Sequence, residues 1–310
     1  MSDKVDTMAP PKPQMTAHKP GQAKHVTLSV VIPAYNEEGG IKRTIERVRE
    51  TLSAQPYDFD IIVVDDGSTD NTLAVARETG VRVIESSVNR GYGATLKTGI
   101  AAGSSDYVAI IDADGTYPAE DLPRMLDIAR DQEADMVVGD RGAAMKNVPL
   151  IRRPAKWMLN SLANYLAQRK IPDLNSGLRV FKRNALTPFI PLLPSGFSFT
   201  TTITMCMLST EHNVAYTPIT YGKRIGSSKI RPSDFFNFIL LVLRVIMLFN
   251  PLRVFLPLGA ILFALGVAKS IYDFFLMNLS ESAIFALLAA ILVWSLGLIA
   301  DQISRLHLRP

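Results

Sequence analysis

The sequence predicts an α/β protein: a mainly parallel sheet with helices on both faces, continued by interfacial helices and a C-terminal pair of membrane-crossing helices. Three observations carry this expectation. Between residues 26 and 140, short β-branched apolar runs alternate with stretches of helical apolar periodicity, the pattern of strands joined by right-handed crossovers. Acidic or polar residues stand directly after several of the runs, at the carboxyl ends where a parallel sheet receives its ligand. Two long stretches near the end of the chain carry almost no charge.

Residues 1–25 contain Pro10, Pro11, Pro13 and Pro20 and almost no large apolar side chains, the composition of a disordered arm. The arm lacks the apolar core of a secretory signal, so the domain after it is expected in the cytoplasm. From residue 26 the α/β pattern begins. Residues 28–33 read as a strand stopped by Pro33, and Ile41, Ile45 and Val48 give 37–52 one apolar helical face. Residues 59–64 form a second strand ending at Asp65 and Asp66, and 70–79 a helix that Ser68 and Asp70 are placed to cap. A third strand at 81–84 and a helix at 91–102 follow. Residues 108–111 are apolar throughout, a strand buried on both faces, and lead into Asp112, Ala113 and Asp114. A fifth strand at 135–138 precedes Gly139, Asp140 and Arg141.

The carboxylates of Asp112 and Asp114 are spaced i, i+2 and so point to one side. Like charges placed this way repel unless a divalent cation bridges them. Oxygen ligands suit Mg²⁺ or Mn²⁺, which complete their shells with water and substrate phosphates. A lone D-x-D is more often a solvated loop, but 34–37 and 65–66 deliver further polar and acidic groups to the same sheet edge. No G-x-G-x-x-G follows the first strand and no G-x-x-x-x-G-K-[ST] occurs, so neither a dinucleotide site nor a P-loop is supported.

Composition narrows the partners. The formal charge is only +4, so nucleic acid is not an expected partner; cations beside apolar segments point instead to an anionic membrane surface. Cys206 is the lone cysteine, set in an apolar run, and reads as a buried thiol. The four histidines lack metal-ligand spacing, which argues against zinc.

The stretches SVVIPAYNE at 29–37, VVDDGSTD at 63–70 and DAD at 112–114 together resemble the landmarks of family 2 glycosyltransferases of GT-A, Rossmann-like fold. DLNSGLRVF at 173–181 is similar to the D-x-x-S-G-F-R-x-F motif of the polyprenyl-phosphate branch, and GKRIGSSK at 222–229 to its R-x-G-x-S-K loop. That branch includes dolichyl-phosphate mannose synthase and bacterial enzymes acting on undecaprenyl phosphate. The resemblance spans roughly 27–230, with its motifs in order.

It implies a metal-dependent, inverting transfer of one sugar from a GDP- or UDP-sugar to dolichyl or undecaprenyl phosphate. Another lipid or a growing polysaccharide is the alternative acceptor, though the Q-x-x-R-W signature of processive synthases is absent. Pro33, Tyr35, Glu37, Asp65 and Asp66 would hold the nucleoside, and Asp112, Ala113 and Asp114 the diphosphate side of the donor. Asp112, Asp114 and Thr116 would face the cation; the branch often has L-Q-x-P-P after D-A-D, whereas here Gly115, Thr116, Tyr117 and Pro118 follow. Arg224 and Lys229, with the two acids, would be catalytic. Arg141, Arg152 and Arg153 would receive the acceptor phosphate. Asp173 and Arg179 are expected to be structural partners beside the site. A nucleotidyltransferase would want a basic Gly-rich loop after the first strand, and a non-catalytic membrane module would be expected to lose the metal acids.

Residues 157–166 and 235–243 are apolar with aromatic and basic edges, as interfacial helices are; a buried core helix fits the first equally. The stretch from 254 toward Phe275 and the uncharged 283–300 read as two spans, since an 18-residue helix covers ~27 Å. Residues 277–282 leave room only for a hairpin turn. Arg244, Arg253, Arg305 and Arg309 flank the outer ends, which the positive-inside rule places in the cytoplasm. Lys269 and Asp273, four residues apart, are expected to pair. The chain thus divides into the arm (1–25), a catalytic domain (26–232), an interfacial helix (233–250) and the membrane hairpin with its tail (251–310); a homo-oligomer is left open.

Overall fold

The computed structural model describes residues 26–142, 161, 164, 170–196, 198–222, 247, 251–277 and 280–307. The expected arm and nearly all of the two expected interfacial stretches lie outside the described residues.

In chain order the elements are β1 (Thr27–Ala34), α1 (Ile41–Ser53), β2 (Asp58–Asp65), α2 (Thr72–Glu78), β3 (Arg82–Glu85), α3 (Tyr92–Ala102) and β4 (Tyr107–Ile110). They continue with α4 (Leu122–Asp131), β5 (Met136–Asp140), β6 (Arg179–Lys182), α5 (Phe199–Ser209) and β7 (Val214–Pro218), then α6 (Leu252–Phe275) and α7 (Glu281–His307). The seven strands form one sheet in the order β3-β2-β1-β4-β6-β5-β7. Pairings from β3 to β4 are parallel, as expected. β6 runs antiparallel to both its neighbours, and β5 pairs parallel with β7.

Alternation along β1 divides the core in two. Val31 faces a cluster with Leu96 and Ile100 of α3 and Phe199 and Ile203 of α5. Val30 and Ile32 face Ile41, Ile45, Val48 and Leu52 of α1 and Met125 and Leu126 of α4. Helices therefore cover both faces, and each fully buried aliphatic side chain contributes roughly 1.5–3 kcal/mol. α5 is buried from Phe199 through Leu208; burial pushes the Cys206 thiol up, away from reactivity.

Arg179 is fully buried at the start of β6. Its guanidinium donates to the carbonyls of Leu174 (2.9 Å) and Ser176 (2.8 Å) and to Thr204 Oγ1 (2.6 Å). It is a structural partner, tying β6 to α5, while burial lowers its pKa.

α6 and α7 are 24 and 27 residues long and apolar enough to cross a membrane. They form a hairpin closed by glycine contacts: a Cβ on Gly259 would lie 2.3 Å from Trp294 Nε1, and one on Gly266 2.8 Å from Leu287 Cγ. Such close approach is how apolar helices gain packing where water gives no drive. At the turn, the buried Asp273 carboxylate accepts from Lys269 and from Ser280.

Candidate functional site

In the sheet order β2-β1-β4, three adjacent strands deliver their carboxyl ends to one edge. These ends carry Asp65 and Asp66, then Tyr35 and Glu37, then Asp112 and Asp114. Parallel register places the exits side by side, Ala34 against Asp65. This is where an open α/β sheet binds its ligand.

The exits of β1 and β2 are stitched together. Asn36, in the left-handed region at φ 52°, donates its N–H to Ser68 Oγ at 3.0 Å, and its side-chain oxygen accepts from Thr69 N at 2.7 Å. Glu37 N donates to Thr72 Oγ1 at 2.8 Å. Ser68 was expected to cap α2, but its hydroxyl serves Asn36; Asp70 takes the Thr72 amide at 3.0 Å instead. Pro33, at the end of β1, is buried, while Tyr35 and Glu37 are half-buried beyond it.

The two neighbouring aspartates differ sharply. Asp65 Oδ2 accepts from Ser68 N at 3.0 Å, whereas its Oδ1 is buried with no hydrogen-bond partner among the described residues. A buried acceptor left alone is costly, so Oδ1 is the natural partner for an N–H or O–H of a bound molecule. Asp66, expected to hold the nucleoside with it, has its oxygens turned elsewhere. They accept the backbone N–H groups of Arg90 and Gly91, each at 2.8 Å.

Around the third exit, α1 abuts the backbone of 113–114. A Cβ on Gly40 would come within 2.6 Å of Ala113 O, and Thr44 Oγ1 donates to that carbonyl at 3.2 Å. Asp112 is partly exposed and accepts from Tyr92 Oη at 2.8 Å. Asp114 is buried and accepts from Thr116 Oγ1 at 2.6 Å. Thr116, expected to face the cation, thus has its hydroxyl proton on Asp114 and orients that carboxylate.

Arg141 and Asp173 form a buried two-pronged pair, with Nε and Nη2 at 2.7 and 2.8 Å from the two carboxylate oxygens. The guanidinium also lies over the Tyr221 ring. Burial alone would lower the Arg141 pKa, but the bond to Asp173 raises it above the ordinary value. Burial alone would raise Asp173; the bond and charge of Arg141 bring it below the usual carboxylate range. Arg141, expected to receive the acceptor phosphate, makes this pair through Nε and Nη2. Tyr221 in turn packs edge-on against Tyr117, whose hydroxyl accepts from Gly177 N at 2.7 Å. Burial and the charge of Asp112 push Tyr117 far above the ordinary tyrosine range.

Tyr92, Tyr117 and Tyr221 had no role assigned from sequence, and Gly177 was read only as part of the 173–181 motif. Arg152, Arg153, Arg224 and Lys229 lie outside the described residues.

The residues present fit a hard divalent cation. Asp112 and Asp114 are oxygen donors at one strand end, and no cluster of three or more His, Cys, Asp or Glu forms among the described residues. One or two carboxylates, completed by substrate phosphates and water, is the ordinary shell of Mg²⁺ at phosphate sites.

Residues 29–188 match the glycosyl transferase family 2 profile, and residues 250–306 match the GtrB C-terminal hairpin. The chain is similar to the low-salt glycan biosynthesis hexosyltransferase Agl6 of Haloferax volcanii, 35% identical over 66% of this chain and 50% of that one. It is likewise similar to the dolichyl-phosphate hexose transferase of the same organism, 32% identical over 66% of this chain and 87% of that one. The chain thus spans only half the length of Agl6. Among solved structures, it is similar to glucosyl-3-phosphoglycerate synthase from Mycobacterium tuberculosis in complex with Mn²⁺, uridine diphosphate and glucosyl-3-phosphoglycerate. That match is 25% identical over 75% of this chain and 84% of that one, with a TM-score of 0.55.

Proposed function

The chain belongs to glycosyl transferase family 2, and from that premise we propose that it transfers a single sugar from a nucleotide-sugar donor to a polyprenyl phosphate at the cytoplasmic membrane face. The observation that carries the reading is the convergence of Asp65, Asp112 and Asp114 on one sheet edge of a chain that continues into an apolar hairpin. The names of the dolichyl-phosphate hexose transferase and of the dodecaprenyl-phosphate galacturonate synthase of Rhizobium johnstonii support a lipid phosphate as acceptor. The uridine diphosphate and Mn²⁺ of the mycobacterial complex support a nucleoside-diphosphate sugar as donor and a cation.

Asp65 Oδ1 receives an N–H or O–H of the nucleoside, next to Tyr35 and Glu37. Asp112 and Asp114 would hold Mg²⁺ or Mn²⁺, whose charge would offset that of the diphosphate. The acceptor monoester has a second pKa near ~6 and is largely dianionic at neutral pH, so its oxygen attacks the anomeric carbon without a strong base. Attack opposite the departing nucleoside diphosphate inverts the anomeric centre. The difficulty is bringing two anions together, which favours positioning and cations. On the resemblance of 222–229, Arg224 and Lys229 serve the diphosphate; Arg152 and Arg153, beside an apolar stretch, serve the lipid phosphate.

The test uses full-length protein in vesicles containing polyprenyl phosphate, given a panel of radiolabelled nucleotide sugars. Label from one donor moving into the lipid phase supports the reading. Label appearing only in polysaccharide would favour the alternative acceptor, and no transfer from any donor would overturn it.

A further inference from the structure

Tyr92 opens α3, and the entry to that helix is unusually well held. Gly91 before it lies in the left-handed region at φ 97°. The buried Asp66 carboxylate grips the amides of Arg90 and Gly91, one on each oxygen, both at 2.8 Å. On the opposite side Ala94 N donates to Ser195 O at 3.0 Å, and a Cβ on Gly93 would fall 2.1 Å from Pro194 O. The first turn of α3 therefore has little freedom. The Tyr92 ring packs against the core and its hydroxyl reaches Asp112 Oδ1 at 2.8 Å.

The other side of the Asp112 carboxylate passes close to Gly177. A Cβ on Gly177 would sit 2.3 Å from Oδ2, so only glycine leaves room for the carboxylate there. Gly177 is itself held by its N–H bond to Tyr117 Oη. The terminal torsion of an aspartate is otherwise broad, and an unheld carboxylate must be ordered each time a ligand binds.

We propose that Tyr92 is a positioning residue for Asp112, gripping one carboxylate oxygen so that the other is presented to the cation and the donor diphosphate; this rests on the metal-dependent reading above. Asp66 acts one step further back, by fixing the backbone that carries Tyr92. The hydroxyl thus stands to a metal-binding carboxylate as outer-shell partners do elsewhere, where their loss lowers metal affinity about 10–100-fold.

The experiment measures binding of Mn²⁺ alone to full-length protein in detergent, from the paramagnetic resonance signal of the unbound ion, with thermal denaturation alongside. Tyr92→Phe keeps the ring and removes only the hydroxyl. It is expected to weaken Mn²⁺ binding about tenfold or more with the thermal midpoint barely moved. Gly177→Ala crowds the same carboxylate from the other side and should weaken binding too. In an Asp112→Asn background the Tyr92→Phe substitution should have no further effect. Wild-type affinity in Tyr92→Phe, or a full additional loss in the Asp112→Asn background, would overturn the proposal while leaving the metal reading intact. A wild-type protein that binds no Mn²⁺ would overturn both.

Discussion

Asp173 and Arg141 face each other through two parallel hydrogen bonds of 2.7 and 2.8 Å, with side chains 3% and 11% exposed. The pair links the exit of β5 to the segment before β6, with the guanidinium over the Tyr221 ring. Its value lies in completeness: removing one partner strands the other, and breaking a buried pair costs about 3–5 kcal/mol.

Asp173→Asn is therefore expected to lower the thermal midpoint, and its effect should depend on pH. The folded-state pKa of Asp173 is depressed, so its contribution is present above the unfolded-state value, near ~3.9. That contribution is lost as pH falls through the folded value below it. Thermal denaturation in detergent should show wild type losing stability as pH drops below that range, with a shallower loss in Asp173→Asn. Parallel pH profiles would contradict this.

Asp65 and Asp66 should separate under substitution although they are neighbours. Asp65→Asn changes the unpartnered oxygen and should weaken binding of the nucleoside diphosphate by about 1.5–3 kcal/mol, the value of a hydrogen bond to a charged group. Asp66→Ala frees two backbone amides and should act first on stability, lowering the thermal midpoint. Calorimetry with UDP and with GDP, beside thermal denaturation, distinguishes the two; equal effects on both readouts would contradict the division.

The hairpin sets the topology prediction. A cysteine at Ser282, exposed beside the turn, should react with a membrane-impermeant thiol reagent on intact cells. One at Leu306, exposed near the end of α7, should react only after permeabilisation. The native Cys206 is buried and should stay silent. The reverse pattern would place the α/β domain outside.

What could be read from sequence follows from how each element is buried. β1, β2 and β4 run through the inner part of the sheet, and their buried stretches at 30–32, 61–64 and 108–110 are apolar throughout, so the acids after β2 and β4 stand out. β6 is four residues long and begins with a buried arginine; neither its strand character nor its antiparallel direction had a signal. Asp66 accepts two backbone amides, a pairing that leaves no trace in side-chain identity. Thr116 takes its expected cation-facing role from its place after D-A-D in the family pattern, and the bond of its hydroxyl to Asp114 is visible only in the fold. Tyr92 between Gly91 and Gly93 looks like turn punctuation, although the glycines are what let the helix entry pack closely enough to aim the phenol.

The central claim is that the carboxylates at the end of β4 carry transfer of sugar to a lipid phosphate through a divalent cation. The most direct measurement is formation of sugar-linked polyprenyl phosphate in vesicles by wild type, Asp112→Asn and Asp114→Asn, with and without chelator. The expected result is product from wild type, loss in chelator that added Mg²⁺ or Mn²⁺ reverses, and loss of turnover in both variants by about a hundredfold or more at a folded midpoint, the scale of removing one preorganised electrostatic contact. Undiminished product in chelator, or in either variant, would contradict it.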